Sequence, residues 1–147
     1  MDTKKASPPY QIIIDHYETC LENHGDSHLG VDWPDKCDAA TRYRVMLDIV
    51  KGSGSETIID FGCGAGHLLD YIQSHNIKNI DYIGLDISPK FIALCRSKWP
   101  NHNFIQQDVL KKSDTIPEAD YIIMNGVFTE KRALPNKVMF LYMQRVI

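Results

Sequence analysis

Thr57-Ile58-Ile59-Asp60-Phe61-Gly62-Cys63-Gly64-Ala65-Gly66 decides how this chain folds, together with Tyr82-Ile83-Gly84-Leu85-Asp86-Ile87-Ser88 further on. The first stretch is an apolar strand running into a glycine-rich turn. The second is an apolar strand ending in an acid, Asp86, 20 residues after Gly66. Glycines let the backbone approach a ligand with no Cβ in the way. The helix that follows such a turn offers amides with a partial positive charge of about half a unit. An acid at the end of the next strand is placed to accept hydrogen bonds from both hydroxyls of a ribose. Strand, turn, helix and acid together build a nucleotide site. Dinucleotide sites space their glycines as G-x-G-x-x-G, but here the third position of that pattern is His67.

Working outward, strand and helix signals alternate. A helix is expected from about Ala65 to Ser74, a strand from Tyr82 to Ile87, and a helix from Pro89 to Trp99 with proline in its first turn. Strands follow at Asn103–Gln106 and Asp120–Met124, and a last helix at Val138–Ile147. Alternation of this kind predicts a parallel, helix-covered sheet with right-handed crossovers. Upstream, Tyr10–Leu21 reads as a short amphipathic helix, residues 24–34 as a loop, and Asp38–Lys51 as a helix ended by Gly52. The chain therefore divides into an N-terminal helical lid, residues 1–52, and an α/β core, residues 53–147.

The E/D-x-G-x-G-x-G form of Asp60-Phe61-Gly62-Cys63-Gly64-Ala65-Gly66 resembles the first motif of class I S-adenosylmethionine-dependent methyltransferases. Three later segments fit the resemblance in order: Asp86-Ile87, Gln107-Asp108-Val109 placed 22 residues after Asp86, and Asp120-Tyr-Ile-Ile-Met-Asn125-Gly126-Val127-Phe128. They cover residues 57–128, close to half the chain. The resemblance implies a Rossmann-like parallel sheet of about four strands, ordered 3-2-1-4, with helices on both faces. It implies S-adenosylmethionine as cofactor, held at Gly62, Cys63, Gly64 and Gly66, with Asp60 orienting the turn and reaching the ammonium. Asp86 would take the ribose, Ile87 the adenine face, and Asp108 and Val109 the adenine edge. Asn125 and Gly126 would line the methionine end, and Arg42 is placed to meet the cofactor carboxylate or to stand in solvent. Asp86 or Ser88 could instead cap the helix that begins at Pro89, and Ser88 can do so while Asp86 binds the ribose.

The reaction implied is in-line methyl transfer, for which alignment and desolvation matter most and a base only when the acceptor must lose a proton. His24, Asp26, His28 and Asp32 are candidate bases, and nothing in the sequence selects one. The fourth-strand segment lacks the N-P-P-Y of base-methylating enzymes, and the formal net charge is −3. Both point to a small-molecule acceptor and away from nucleic acid. No apolar run approaches the roughly 20 residues that span a bilayer, so no membrane partner is expected. Cys20, Cys37, Cys63 and Cys95 form no C-x-x-C pair and read as reduced thiols of a cytoplasmic protein. The His24–His28 spacing lacks a third ligand, and no metal is expected.

The full class I sheet has seven strands, and this chain supplies the first four. The expectation is a chain lacking the C-terminal strands, either as a shortened product or as half of an assembly in which a second copy or a partner chain covers the fourth-strand edge. Two other readings stand behind the catalytic one: a non-catalytic methyltransferase-like binding subunit and, third, an NAD-dependent oxidoreductase.

Overall fold

The structure, a computed structural model, describes residues 7–50, 54–112 and 115–147. Helices α1 (Gln11–His24) and α2 (Lys36–Leu47) precede strand β1 (Glu56–Phe61). Helix α3 (His67–Ser74), strand β2 (Ile80–Asp86), helix α4 (Pro89–Lys98) and strand β3 (Asn103–Gln106) follow. Strand β4 (Tyr121–Met124) and helix α5 (Asn136–Val146) complete the order. The four strands form one parallel sheet in the order β3-β2-β1-β4, as expected for a Rossmann-like fold.

Strand alternation sends neighbouring side chains to opposite faces of this sheet. Ile58, Tyr82, Phe104 and Ile123 meet Leu68, Leu69, Ile72, Ile92 and Cys95 on the face covered by α3 and α4. Ile59, Phe61, Ile83 and Leu85 pack on the other face, where Val109, Phe128 and Val146 of α5 close over them. Burial on both faces explains the unbroken apolar runs that the sequence shows at β1 and β2. Asp120 fixes the start of β4, since its carboxylate accepts from the Thr57 amide (2.8 Å) and its own amide donates to the Thr57 carbonyl (2.9 Å). Among the described residues β4 pairs only with β1, and its Ile122 is 56% exposed.

Several boundaries differ from those expected. Helix α1 runs on to His24, where Gly25 at φ 61° donates its amide to Leu21 and ends it. Helix α2 begins at Lys36 because the Asp35 carboxylate accepts from the amides of Cys37 and Asp38. It ends at Leu47 rather than Lys51, tightened by three-residue bonds from Ile49 to Met46 and from Val50 to Leu47. Gly52, expected to end it, lies outside the described residues. Helix α3 starts at His67, two residues later than expected, because Gly62, Gly64 and Gly66 all take positive φ (76°, 51° and 75°) and keep the chain in a turn. No described helix is long and apolar enough to cross a membrane.

Candidate functional site

The carboxyl ends of the four strands open into a cavity of about 480 Å³. That size suits a drug- or cofactor-sized ligand. The glycine turn forms its floor, with Asp60, Asp86, Asp108 and Asn125 contributed by the ends of β1, β2, β3 and β4. Ile13, Ile14 and Tyr17 of α1 and the loop residues Val31, Asp32, Trp33 and Pro34 form the roof. Val31 comes close enough that a Cβ on Gly64 would stand 3.4 Å from its Cγ1, and a Cβ on Gly126 would stand 3.6 Å from the Trp33 ring. Roof and floor thus touch at two glycines.

Asp60 is 4% exposed and accepts a 2.7 Å hydrogen bond from the Tyr82 hydroxyl. Burial pushes its carboxyl up to about 7, the tyrosine works against this, and the charge of Asp86 adds to it. Asp86 is also buried and fully engaged. One oxygen accepts from the Gly64 amide and the other from the Ser88 amide, each at 2.9 Å. Burial raises its carboxyl above the ordinary value, against the backbone amides of Ser88, Gly64 and Ile87, which favour the charged form. Sequence reasoning assigned Asp86 to a ribose and missed that it also ties the glycine turn to the end of β2. The Gly62 and Cys63 amides are likewise used internally, both donating to the Leu85 carbonyl (2.7 and 3.1 Å).

Asp108 accepts from the Tyr10 hydroxyl at 2.6 Å and pairs with Lys111 at 3.0 Å. Tyr10 in turn meets Tyr142 of α5 edge-on, with ring centroids 5.5 Å apart. Asn125 Oδ1 is buried with no hydrogen-bond partner among the described residues, which in a cavity wall marks a place where a ligand donor fits. Arg42 lines the cavity, donates to Asp38 at 3.0 Å and lies 5.1 Å from the Trp33 ring centroid. Of the twelve residues expected at the site, Gly66 alone is not in the lining; its part is to turn the chain, with Cys95 and Phe104 close behind it.

Of the four candidate bases, the structure brings Asp32 to the cavity. Asp26 pairs with His67 (2.8 Å) and Lys98 (2.9 Å), latching the roof loop to the core, and His28 Nδ1 lies 2.7 Å from the Trp33 carbonyl. Tyr17 and Glu130 also line the cavity, and no motif in the sequence flagged them.

The carboxylates of the lining are Asp32, Asp38, Asp60, Asp86, Asp108 and Glu130, against Arg42 as its cation from lysine or arginine. Acceptors at three strand ends, a cradle of glycines and an orphaned amide oxygen fit a cationic nucleoside bearing an amino-acid tail.

The family described as "Methyltransferase domain" matches residues 59–139. A protein of Mycobacterium tuberculosis (strain ATCC 25618 / H37Rv) named as a methyltransferase is 32% identical over 82 residues, 56% of this chain and 48% of its own. The small RNA 2'-O-methyltransferase of Arabidopsis thaliana is 40% identical over 52 residues, 35% of this chain and 6% of its own. These matches span about half or less of each relative. Among solved structures, the DhpI-SAM-HEP complex aligns with a TM-score of 0.58 at 15% identity, over 98% of this chain and 63% of that one. A TehB-like SAM-dependent methyltransferase from Corynebacterium glutamicum aligns with a TM-score of 0.52 at 15% identity, over 93% and 68%. At such identities the likeness is one of fold.

Proposed function

This chain belongs to the class I S-adenosylmethionine-dependent methyltransferase family, and on that premise we propose that its cavity binds S-adenosylmethionine and directs the methyl group to a small molecule. When bound, that cofactor supplies an activated methyl carbon on a sulfonium. The carrying observation is the convergence of Asp60, Asp86, Asp108 and the unpartnered Asn125 Oδ1 on one cavity, each from the end of a different strand.

In this reading Gly62, Cys63 and Gly64 let the backbone approach the methionine part, and Asp60 faces its ammonium. Gly66 sets the path into α3. Asp86 accepts from the ribose with lone pairs left over from its two backbone bonds, since an ionised carboxylate has about four acceptor sites. Ile87 and Val109 flank the adenine, and Asp108 accepts from its amine, exchanging the Tyr10 bond or sharing the carboxylate with it. Asn125 and Gly126 border the methyl end, with Arg42 near the carboxylate of the cofactor. Helices α1 and α2 and the loop between them act as the lid, which excludes water and strengthens each of these polar contacts.

A small acceptor is supported by the roofed cavity and by its carboxylate-rich lining, which disfavours a phosphate backbone. The free thiols of Cys20, Cys37, Cys63 and Cys95 support a cytoplasmic setting. Family membership favours the methyltransferase reading over the dinucleotide one.

Asp86→Ala tests the cofactor assignment. Titration with S-adenosylhomocysteine should show affinity weakened by about 1.5–3 kcal/mol, the worth of a charge-assisted hydrogen bond. The melting temperature should fall as well, because the turn loses its tie to β2. Unchanged affinity in a folded variant would remove Asp86 from the cofactor site.

A further inference from the structure

The cofactor residues account for the floor of the cavity and leave its rim, where the roof loop meets the loop after β4. Tyr17, Asp32, Trp33, Phe128 and Glu130 line this part. Asp32 sits between the two residues that touch down on the floor, Val31 against Gly64 and Trp33 against Gly126. It therefore stands over the ends of β1 and β4, where the methyl end of the cofactor belongs.

The hydrogen-bond inventory of this rim is one-sided. Asp32 Oδ2 lies 2.9 Å from His16 Nε2 and accepts from Arg132, while Asp32 Oδ1 has no partner among the described residues. Glu130 is 3.9 Å from Arg132, so its carboxylate is only loosely held. Burial, with the charges of Glu130 and Asp32, pushes the Tyr17 phenol well up and keeps it neutral. Arg132 already serves Asp32 and His16, and Arg42, which lies over the Trp33 ring, is paired with Asp38. Two carboxylates against one guanidinium leave one negative charge. Free acceptors outnumber free donors, so the molecule that fits here brings several donors and no anion.

We propose that this rim is the methyl-acceptor subsite and that it takes an amine, whose N–H bonds are received by Asp32 and Glu130 beside the rings of Trp33 and Phe128. A hydroxyl offers a single donor to these acceptors, whereas an amine offers two or three. Arg132 and His16 are positioning residues that hold Asp32 over the floor. For the transfer, the bound ammonium first loses a proton to solvent at the rim. The nitrogen lone pair so freed forms the new N–C bond as the methyl C–S bond breaks, with the electron pair of that bond staying on sulfur and the positive charge passing to the methylated nitrogen. This inference rests on the cofactor reading above.

The test is a calorimetric titration of the full chain saturated with S-adenosylhomocysteine, using tyramine, its alcohol analogue tyrosol and 4-hydroxyphenylacetate as probes. Tyramine should bind about tenfold more tightly than either, the effect of one charge-assisted hydrogen bond. Asp32→Asn and Glu130→Gln should each remove most of that preference, with S-adenosylhomocysteine affinity kept within about twofold as evidence that the cavity is intact. Equal affinity for the three probes, no tyramine binding, or a preference that survives both substitutions would overturn the amine subsite while leaving the cofactor reading standing. Failure of the unmodified chain to take up S-adenosylhomocysteine would remove the cofactor reading and the subsite with it.

Discussion

Asp60→Asn should raise the melting temperature of the ligand-free protein at pH 8 and leave it unchanged near pH 3. Burial carries the Asp60 carboxyl from an ordinary 3.8 up to about 7 in the folded chain. Below the lower value both states hold the proton, and the group makes no difference. As the pH rises, the unfolded chain releases its proton first, so folding must take one up and stability falls. The loss is complete above about 7, where it amounts to roughly 4 kcal/mol, or a melting shift of roughly 10 °C. Asparagine keeps an acceptor for the Tyr82 hydroxyl and carries no charge, so it escapes this loss. The same substitution should weaken S-adenosylhomocysteine, whose ammonium would lose its counter-charge. Higher stability with lower affinity is the expected signature of a charge kept buried for function. A melting difference that stays flat from pH 4 to 8 would contradict the burial argument.

Gly84→Ala should destabilise the fold by about 3 kcal/mol, at the upper end of what overpacking a core costs. Gly84 lies in β2 directly between Asp60 of β1 and Phe104 of β3. A Cβ there would stand 2.5 Å and 2.7 Å from two atoms of the Phe104 ring and 3.1 Å from Cys63 Sγ. The ring is buried and has little room to yield, being edge-on to Tyr82 with centroids 6.0 Å apart. Displacing Cys63 would also disturb the glycine turn, so cofactor affinity should fall with stability. The control is Gly54→Ala, where an added Cβ meets nothing within 4 Å. Urea unfolding of the two variants checks this: a Gly84→Ala midpoint matching that of Gly54→Ala would show that the sheet repacks without cost.

The sheet and the floor of the cavity were legible because their signals are local. Alternating apolar strands, positive-φ glycines and strand-end acids each fall within a few residues, and the parallel order follows from them. The contacts of the roof were not legible, because its partners are far apart in the chain. Tyr10 meets Asp108 across 98 residues, and Asp32 meets Arg132 across 100. No pattern of spacing marks such pairs. Arg132 and Asp32 also both adopt positive φ (52° and 54°), a conformation that composition does not announce. The clamping of the glycine turn by Asp86 was hidden for a different reason. A strand-end acid reads equally well as a ligand contact or as a clamp on backbone amides, and here the amides of Gly64 and Ser88 are within hydrogen-bond distance. Helix starts moved where local chemistry outweighed apolar spacing, through the Asp35 side-chain cap for α2 and the positive-φ glycine turn ending at Gly66 for α3.

The most direct measurement is a calorimetric titration of S-adenosylhomocysteine into the full chain, with NADH in parallel. A saturable, one-to-one heat for S-adenosylhomocysteine and none for NADH is the predicted result. At about a hundred times the dissociation constant it should come with roughly 2.7 kcal/mol of added stability. A folded chain that binds neither ligand, or that binds NADH in preference, would contradict the assignment of this cavity.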